Sequence, residues 1–161
     1  MIGRLELALP GERFESSYRE ALGEQGNPLA DSFLALLQRF ADRRAGRVAP
    51  GMVADTTLWL VDGDSYLGRI SIRHTLDDRL RIIGGHIGYD IRPSRRGQGL
   101  GSQMLALALP HAHALGIDPA MLTCDLANVA SWRMIERNGG MREAAFEHEG
   151  VTRLRYWIPT T

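Results

Sequence analysis

The stretch HIGYDIRPSRRGQGLGSQMLALALPHAHAL, residues 86–115, decides the fold. Ile87, Tyr89 and Ile91 alternate with His86, Gly88 and Asp90, the two-residue period of a strand with one buried face. Pro93 ends that strand, because proline has no N–H to give a ladder. Arg95 and Arg96 follow, then Gly97, Gly99 and Gly101 at alternate positions, then an apolar helical run from Leu100. A helix N-terminus carries unpaired N–H groups and a partial positive charge, and glycines let a ligand reach the backbone. Two arginines beside them offer forked donors suited to phosphate oxygens. A plain tight turn with solvated arginines has some of the same features. Three alternating glycines at a strand-to-helix junction favour the anion site, and the stretch reads as a pyrophosphate cradle.

Working outward, residues 4–9 alternate and read as a first strand, stopped by Pro10-Gly11. Residues 12–25 carry Phe14, Tyr18, Ala21 and Leu22 at helical spacing; Asp31 is placed to cap a second helix with Phe33, Leu34, Leu37 and Phe40 on its core face. Residues 45–55 are a loop, either a plain connector or a segment over a binding site. Residues 57–61 and 66–74 flank Asp62-Gly63-Asp64-Ser65, a strong hairpin signal. Residues 81–91 read as a third long strand with Gly84-Gly85 as its bulge. Beyond the cradle, residues 100–115 form a heavily buried helix that Pro110 should kink or shorten. Residues 121–126 form a short apolar strand. Asn128 then opens a helix with Val129, Trp132 and Ile135 on its buried face and Gly139 as its stop. Residues 141–158 read as two strands around Glu149-Gly150. The sum is an α/β plan on a mixed sheet.

Bulk composition narrows the class. A chain of 161 residues with 44% apolar and 24% charged residues is expected to form one domain, residues 1–161, with its own core. Nineteen basic side chains balance nineteen acidic ones, so no global field draws the chain to nucleic acid or a membrane. The single cysteine, Cys124, excludes an internal disulfide framework and suits a reducing compartment. Residues 1–15 hold Arg4 and Glu6 and no long apolar core, so they read as neither signal peptide nor membrane span, and a cytoplasmic location is expected. The five histidines show no metal spacing, and no metal is expected.

Spacing discriminates among phosphate ligands. A Walker loop needs Gly-Lys-Ser/Thr, and Leu100-Gly101-Ser102 has no lysine. A dinucleotide fingerprint needs G-x-G-x-x-G directly after its strand; here Ser102 follows Gly101 and the strand ends earlier, at a proline. Asp125 imitates the ribose-binding acid, so an NAD-binding oxidoreductase stays as a weaker alternative.

Arg96-Gly97-Gln98-Gly99-Leu100-Gly101 resembles the R/Q-x-x-G-x-G/A signature of the GNAT acyltransferase superfamily, and Ile91-Arg92-Pro93 resembles the V/I-x-P strand end before it. Residues 128–140, NVASWRMIERNGG, resemble its second motif, an asparagine opening a helix that ends in glycines; with GGHIGYDIRPS and the closing RYWI they look like a poorly characterised bacterial group. The resemblance implies a mixed, mostly antiparallel sheet flanked by helices and splayed between its two central strands. It implies bound acetyl-CoA as co-substrate. The pyrophosphate would rest on Arg96, Gly97, Gln98, Gly99, Leu100, Gly101 and Ser102, and the pantetheine would run along Asp90, Ile91 and Arg92. The N–H of Ile91 or Arg92 would polarise the thioester carbonyl. Asn128 would bond the pantetheine or only cap its helix, and Ser131 would lie near the same ligand.

The resemblance implies N-acetyl transfer to a primary amine of a small molecule or peptide, by direct attack; a homodimer is left open. Many relatives place a proton-donating tyrosine where this chain has Ile135, and the positions of a glutamate base in others fall near Gly85 and Thr123. The substitutes within the chain are His86 as a base, with Tyr89, Tyr156 or water as the acid. Cys124 could carry an acyl group or merely fill core. The missing tyrosine keeps a second reading, a CoA-binding regulatory or sensor module without chemistry.

Overall fold

The computed structural model describes residues 3–161. A first strand, β1 (Leu5–Ala8), leads through a 3-10 turn at Glu12–Phe14 into α1 (Glu15–Glu24) and α2 (Phe33–Arg44). Strands β2 (Asp55–Asp62) and β3 (Ser65–Arg73) form the expected hairpin about Gly63-Asp64. A short helix α3 (Asp78–Ile82) precedes β4 (Ile87–Ile91), a 3-10 turn at Pro93–Arg95 and α4 (Leu100–Ala114). The chain finishes with β5 (Ala120–Asp125), α5 (Val129–Arg137), β6 (Met141–Arg142), β7 (Phe146–His148) and β8 (Val151–Ile158).

The strands make two antiparallel sheets, ordered β1-β2-β3-β4 and β5-β8-β6, with β7 also on β8. Among the described residues their backbones bridge where β4 begins. Gly85 bridges Leu122, the His86 N–H donates to the Met121 carbonyl (2.7 Å), and the Met121 N–H donates to His86 Nδ1 (2.9 Å). Gly85 is required there: its φ is +60°, and an added Cβ would lie 2.3 Å from the Met121 oxygen. No ladder continues between β4 and β5, so the sheet is split along its middle. Antiparallel pairing excludes the doubly wound parallel sheet that a dinucleotide reading requires.

One core lies between the sheets and α4 and α5: Ile70, Ile72, Ile87, Leu122, Leu154 and Tyr156 meet Leu100, Met104, Leu105, Met134 and Ile135. A second, aromatic core lies on the other face, where α1 and α2 cover Trp59, which stacks on Tyr18 at 4.5 Å between ring centres.

Several elements differ from the sequence reading. Residues 81–91 are not one strand: Asp77 accepts the Leu80 N–H at 2.8 Å and caps α3, and the positive-φ pair Gly84-Gly85 turns the chain into β4. Ser32, not Asp31, caps α2 by accepting the Ala35 N–H, while Asp31 pairs with Arg39. Leu34 is 62% exposed and Leu36 is buried in its stead. On α5 the buried residues are Ser131, Met134 and Ile135, whereas Val129 is exposed and Trp132 half-buried. α4 continues through Pro110 to Ala114.

Candidate functional site

The open end of the split is a cleft of about 660 Å³ with three walls. β4 supplies Tyr89, Asp90 and Ile91; the glycine turn and first turn of α4 supply Arg95 to Gly97 and Gly99 to Ser102; α5 supplies Asn128, Ala130, Ser131, Arg133, Met134 and Arg137.

The turn is shaped to present backbone. Gly97 and Gly99 have φ of +75° and +76°, and Gly99 is the N-cap of α4. The first helical bond is from the Gln103 N–H to the Gly99 carbonyl (3.3 Å), which leaves the N–H groups of Leu100, Gly101 and Ser102 without helical acceptors. Four arginines, Arg95, Arg96, Arg133 and Arg137, line the same cleft against one carboxylate, Asp90. Amides without helical acceptors at a helix start within a positive surround fit a polyanionic ligand.

β4 presents a second edge of free backbone. The Arg92 N–H donates to Leu67 O (2.9 Å) and His86 O accepts from the Arg73 N–H (2.7 Å), fixing the phase of the β3–β4 ladder. Alternation then turns the N–H groups of Tyr89 and Ile91 away from β3 and into the gap. The Ile91 carbonyl also points there, where it accepts from Arg96 Nε at 2.9 Å; Arg96 Nη2 donates to Asp90 at 3.0 Å.

Arg92 is a correction. Its N–H is spent on the sheet, and its buried guanidinium points away from the cleft toward Glu20 (3.2 Å), Glu24, Ser17 Oγ (3.2 Å) and the Tyr66 carbonyl (3.1 Å). Glu24 also accepts from Ser94 N–H (3.1 Å) and Oγ (2.8 Å), and the Arg92 and Ser94 bonds hold its carboxyl down at about 2. This clamp ties α1 to the turn before the glycines. Gln98 also stands outside the cleft, exposed, 3.4 Å from Arg95 Nε.

The three candidate catalytic side chains separate. His86 is at the closed end: its Nδ1 is taken by the Met121 N–H, and burial, then Arg73 and Arg81, push its pKa down. Tyr156 is fully buried; its hydroxyl donates to Glu136 (2.7 Å) and accepts from Arg142 Nε (2.8 Å), and burial pushes it up to about 12. Tyr89 alone of the three lines the cleft, its hydroxyl bonded to that of Ser131 and pushed by burial to about 12. Ser131 is fixed by Asn128, whose Oδ1 accepts the Ser131 N–H (3.3 Å). Burial raises the Cys124 thiol, which disfavours the thiolate an acyl carrier needs. Ile135 is fully buried. Among the described residues no cluster of His, Cys, Asp and Glu is arranged to hold a metal, and no helix is long and apolar enough to cross a membrane.

Sequence reading missed Arg133 and Arg137. Their i, i+4 spacing puts both on one face of α5, a signal that was legible once that face was known to border the cradle.

No curated protein matches the chain significantly by sequence. Solved structures share its fold. yncA from Salmonella typhimurium, solved with its cofactor acetyl-CoA, superposes with a TM-score of 0.65 at 14% identity, over 100% of this chain and 95% of that one. RimL, the ribosomal L7/L12 alpha-N-protein acetyltransferase in complex with coenzyme A, gives 0.67 at 18% identity, over 98% and 96%. A spermidine N-acetyltransferase SpeG chimera from Vibrio cholerae and hSSAT gives 0.65 at 17% identity, over 98% and 96%. The family model described as an acetyltransferase (GNAT) domain matches residues 30–141, more than half of the chain and all three walls of the cleft. The chain therefore belongs to the GNAT acetyltransferase family.

Proposed function

We propose that this chain transfers the acetyl group of acetyl-CoA directly to an amine, and that the cleft between β4, α4 and α5 binds the coenzyme. The observation that carries the reading is the pairing of two sets of unspent backbone N–H groups: the amides of Leu100 to Ser102 under four arginines, and those of Tyr89 and Ile91 on the edge of β4. The first suits a pyrophosphate. The second suits an extended amide-bearing arm that pairs as a strand would. The related folds include a protein α-amino acetyltransferase and a polyamine acetyltransferase, which supports an amine acceptor without choosing its kind.

In this reading the Ile91 N–H donates to the thioester oxygen as negative charge develops on it. The amine nitrogen attacks the carbonyl carbon, the carbon–sulfur bond breaks, and the thiolate takes a proton from the Tyr89 hydroxyl. Ser131 returns a proton to Tyr89 from the ammonium formed on attack, so the proton count closes. Tyr89 thus does from β4 what a tyrosine at Ile135 would do from α5.

Isoleucine at position 135, which can donate no proton, favours the second reading, a CoA-binding module without turnover. Calorimetric titration with acetyl-CoA and NADH, followed by thiol-release assays over an amine panel, separates them. Acetyl-CoA binding with amine-dependent CoA release is the expected result. Binding with no release on any amine supports the module, and stabilisation by NADH alone overturns both.

A further inference from the structure

The face of the split opposite α4 and α5 carries a charge pattern that the transfer reading leaves unused. Cross-strand neighbours share a face, so Arg69, directly opposite Asp90, stands on it, as do Ser71, opposite Gly88, and Arg73. Arg69 is exposed, and among the described residues its side chain has no hydrogen bond or ion pair. Arg73 Nη1 donates to the carbonyls of Gly84 (3.1 Å) and Gly85 (3.0 Å), while Nη2 lies over Gly88, 3.4 Å from where a Cβ would stand. Glycine at position 88 keeps that strip of β4 bare.

The carboxylates opposite the two arginines, Asp55 across from Arg73 and Asp90 across from Arg69, each have another arginine as ion-pair partner. Asp55 is buried against Arg43, and Asp90 is held by Arg96. Burial and the charges of Arg79, Arg43 and Arg69 all weigh against the Arg73 cation, with Asp55 the carboxylate that supports it. The chain as a whole has a formal net charge of zero, so this excess is local and not the by-product of a basic protein. Arg69 and Arg73 share one face of β3 and each charge opposes the other, a repulsion that an anion between them would relieve.

Resting on the transfer reading above, we propose that the acceptor is an amine that itself carries an anionic group, bound with that group against Arg69 and Arg73 and its nitrogen toward Ile91. Arg69 lies directly across from Asp90, the residue before Ile91, so the arginine stands beside the end of β4 whose N–H faces the gap. A polyamine would bring cations against Arg69 and Arg73 and is disfavoured at the same place.

The test measures kcat and KM with acetyl-CoA and four amines: aspartate, phosphoethanolamine, glycinamide and spermidine. CoA affinity is titrated on the same samples. Aspartate or phosphoethanolamine is expected to lead spermidine by at least about tenfold in kcat/KM, and the better of the two identifies carboxylate or phosphate as the group read. Arg69→Gln should raise KM for the preferred amine about tenfold with little change in kcat, and Arg69→Lys should restore part of it. Spermidine or glycinamide as best acceptor overturns the proposal. So does an Arg69→Gln effect equal on all four amines, and so does CoA binding without turnover of any of them. Absence of CoA binding overturns the transfer reading as well, which separates the two failures.

Discussion

The two ends of β4 are built from similar residues and do opposite things. At its start, His86 engages Met121 through its own backbone N–H and its ring nitrogen, beside the Gly85–Leu122 bridge, closing the seam between the sheets. At its end, Tyr89 and Ile91 keep their N–H groups unpaired, and the strand runs into a turn whose amides are also unspent. A buried polar group left without a partner is costly, so an open edge persists where solvent or a ligand can reach it. The closed end holds the fold; the open end is where chemistry can enter.

The sharpest way to break this comparison is to fill the open end. Gly99→Glu brings a carboxylate onto a φ of +76° among amides that favour anions, with no atom within 4 Å of the new Cβ to displace. CoA affinity should fall by more than about a hundredfold while far-UV dichroism stays native, since a single strained residue costs only about 1–2 kcal/mol. Undiminished affinity would locate the coenzyme elsewhere. Next in size is Tyr89→Phe, which keeps the ring and removes the hydroxyl: kcat should fall about a hundredfold with the KM for acetyl-CoA nearly unchanged. An unaltered kcat would take the proton donor out of β4.

The open end was the more legible of the two, for a physical reason. A cradle needs local sequence: a proline stop, alternating glycines and a helix start all fall within residues 93–101. The closed end depends on contact between residues 35 apart in the chain, and nothing local to His86 announces that Met121 will occupy its Nδ1. His86 therefore read as a base and is a brace. The Arg92 N–H failed for the same reason, because its acceptor, the Leu67 carbonyl, is supplied by β3. Elements were legible where periodicity and caps agreed. They slipped where a cap stood one residue away (Ser32 beside Asp31), or where the Asp77 cap stood before an apolar run that looked like strand.

Breaking the closed end should cost stability. His86→Ala leaves the Met121 N–H, on a residue 2% exposed, without its acceptor, a loss of about 1–3 kcal/mol readable as a lower urea midpoint. The pH dependence has a definite sign. A histidine whose folded pKa lies below its ordinary 6.5 binds protons more readily unfolded, so its stabilising contribution is present above 6.5 and lost as pH falls below it. The wild-type midpoint should drop over that interval more steeply than that of His86→Ala. Parallel profiles would show that the imidazole is not held neutral at the seam.

The smallest expected effect sharpens the open end by dividing its charges. Arg133 and Arg137 stand on α5, across the cleft from the amides of α4. Pyrophosphate on those amides leaves the pair to meet whatever further anion the coenzyme carries, and its 3′-phosphate is the remaining one. Their exposure limits each to about 0.5–1 kcal/mol, so Arg133→Gln with Arg137→Gln should weaken CoA about tenfold at low salt. Dephospho-CoA, lacking that phosphate, should lose less than about threefold in the same variant, and the gap should narrow as salt is raised. Equal losses for both ligands would assign the pair to the pyrophosphate, making α5 a second side of the cradle and not a separate contact.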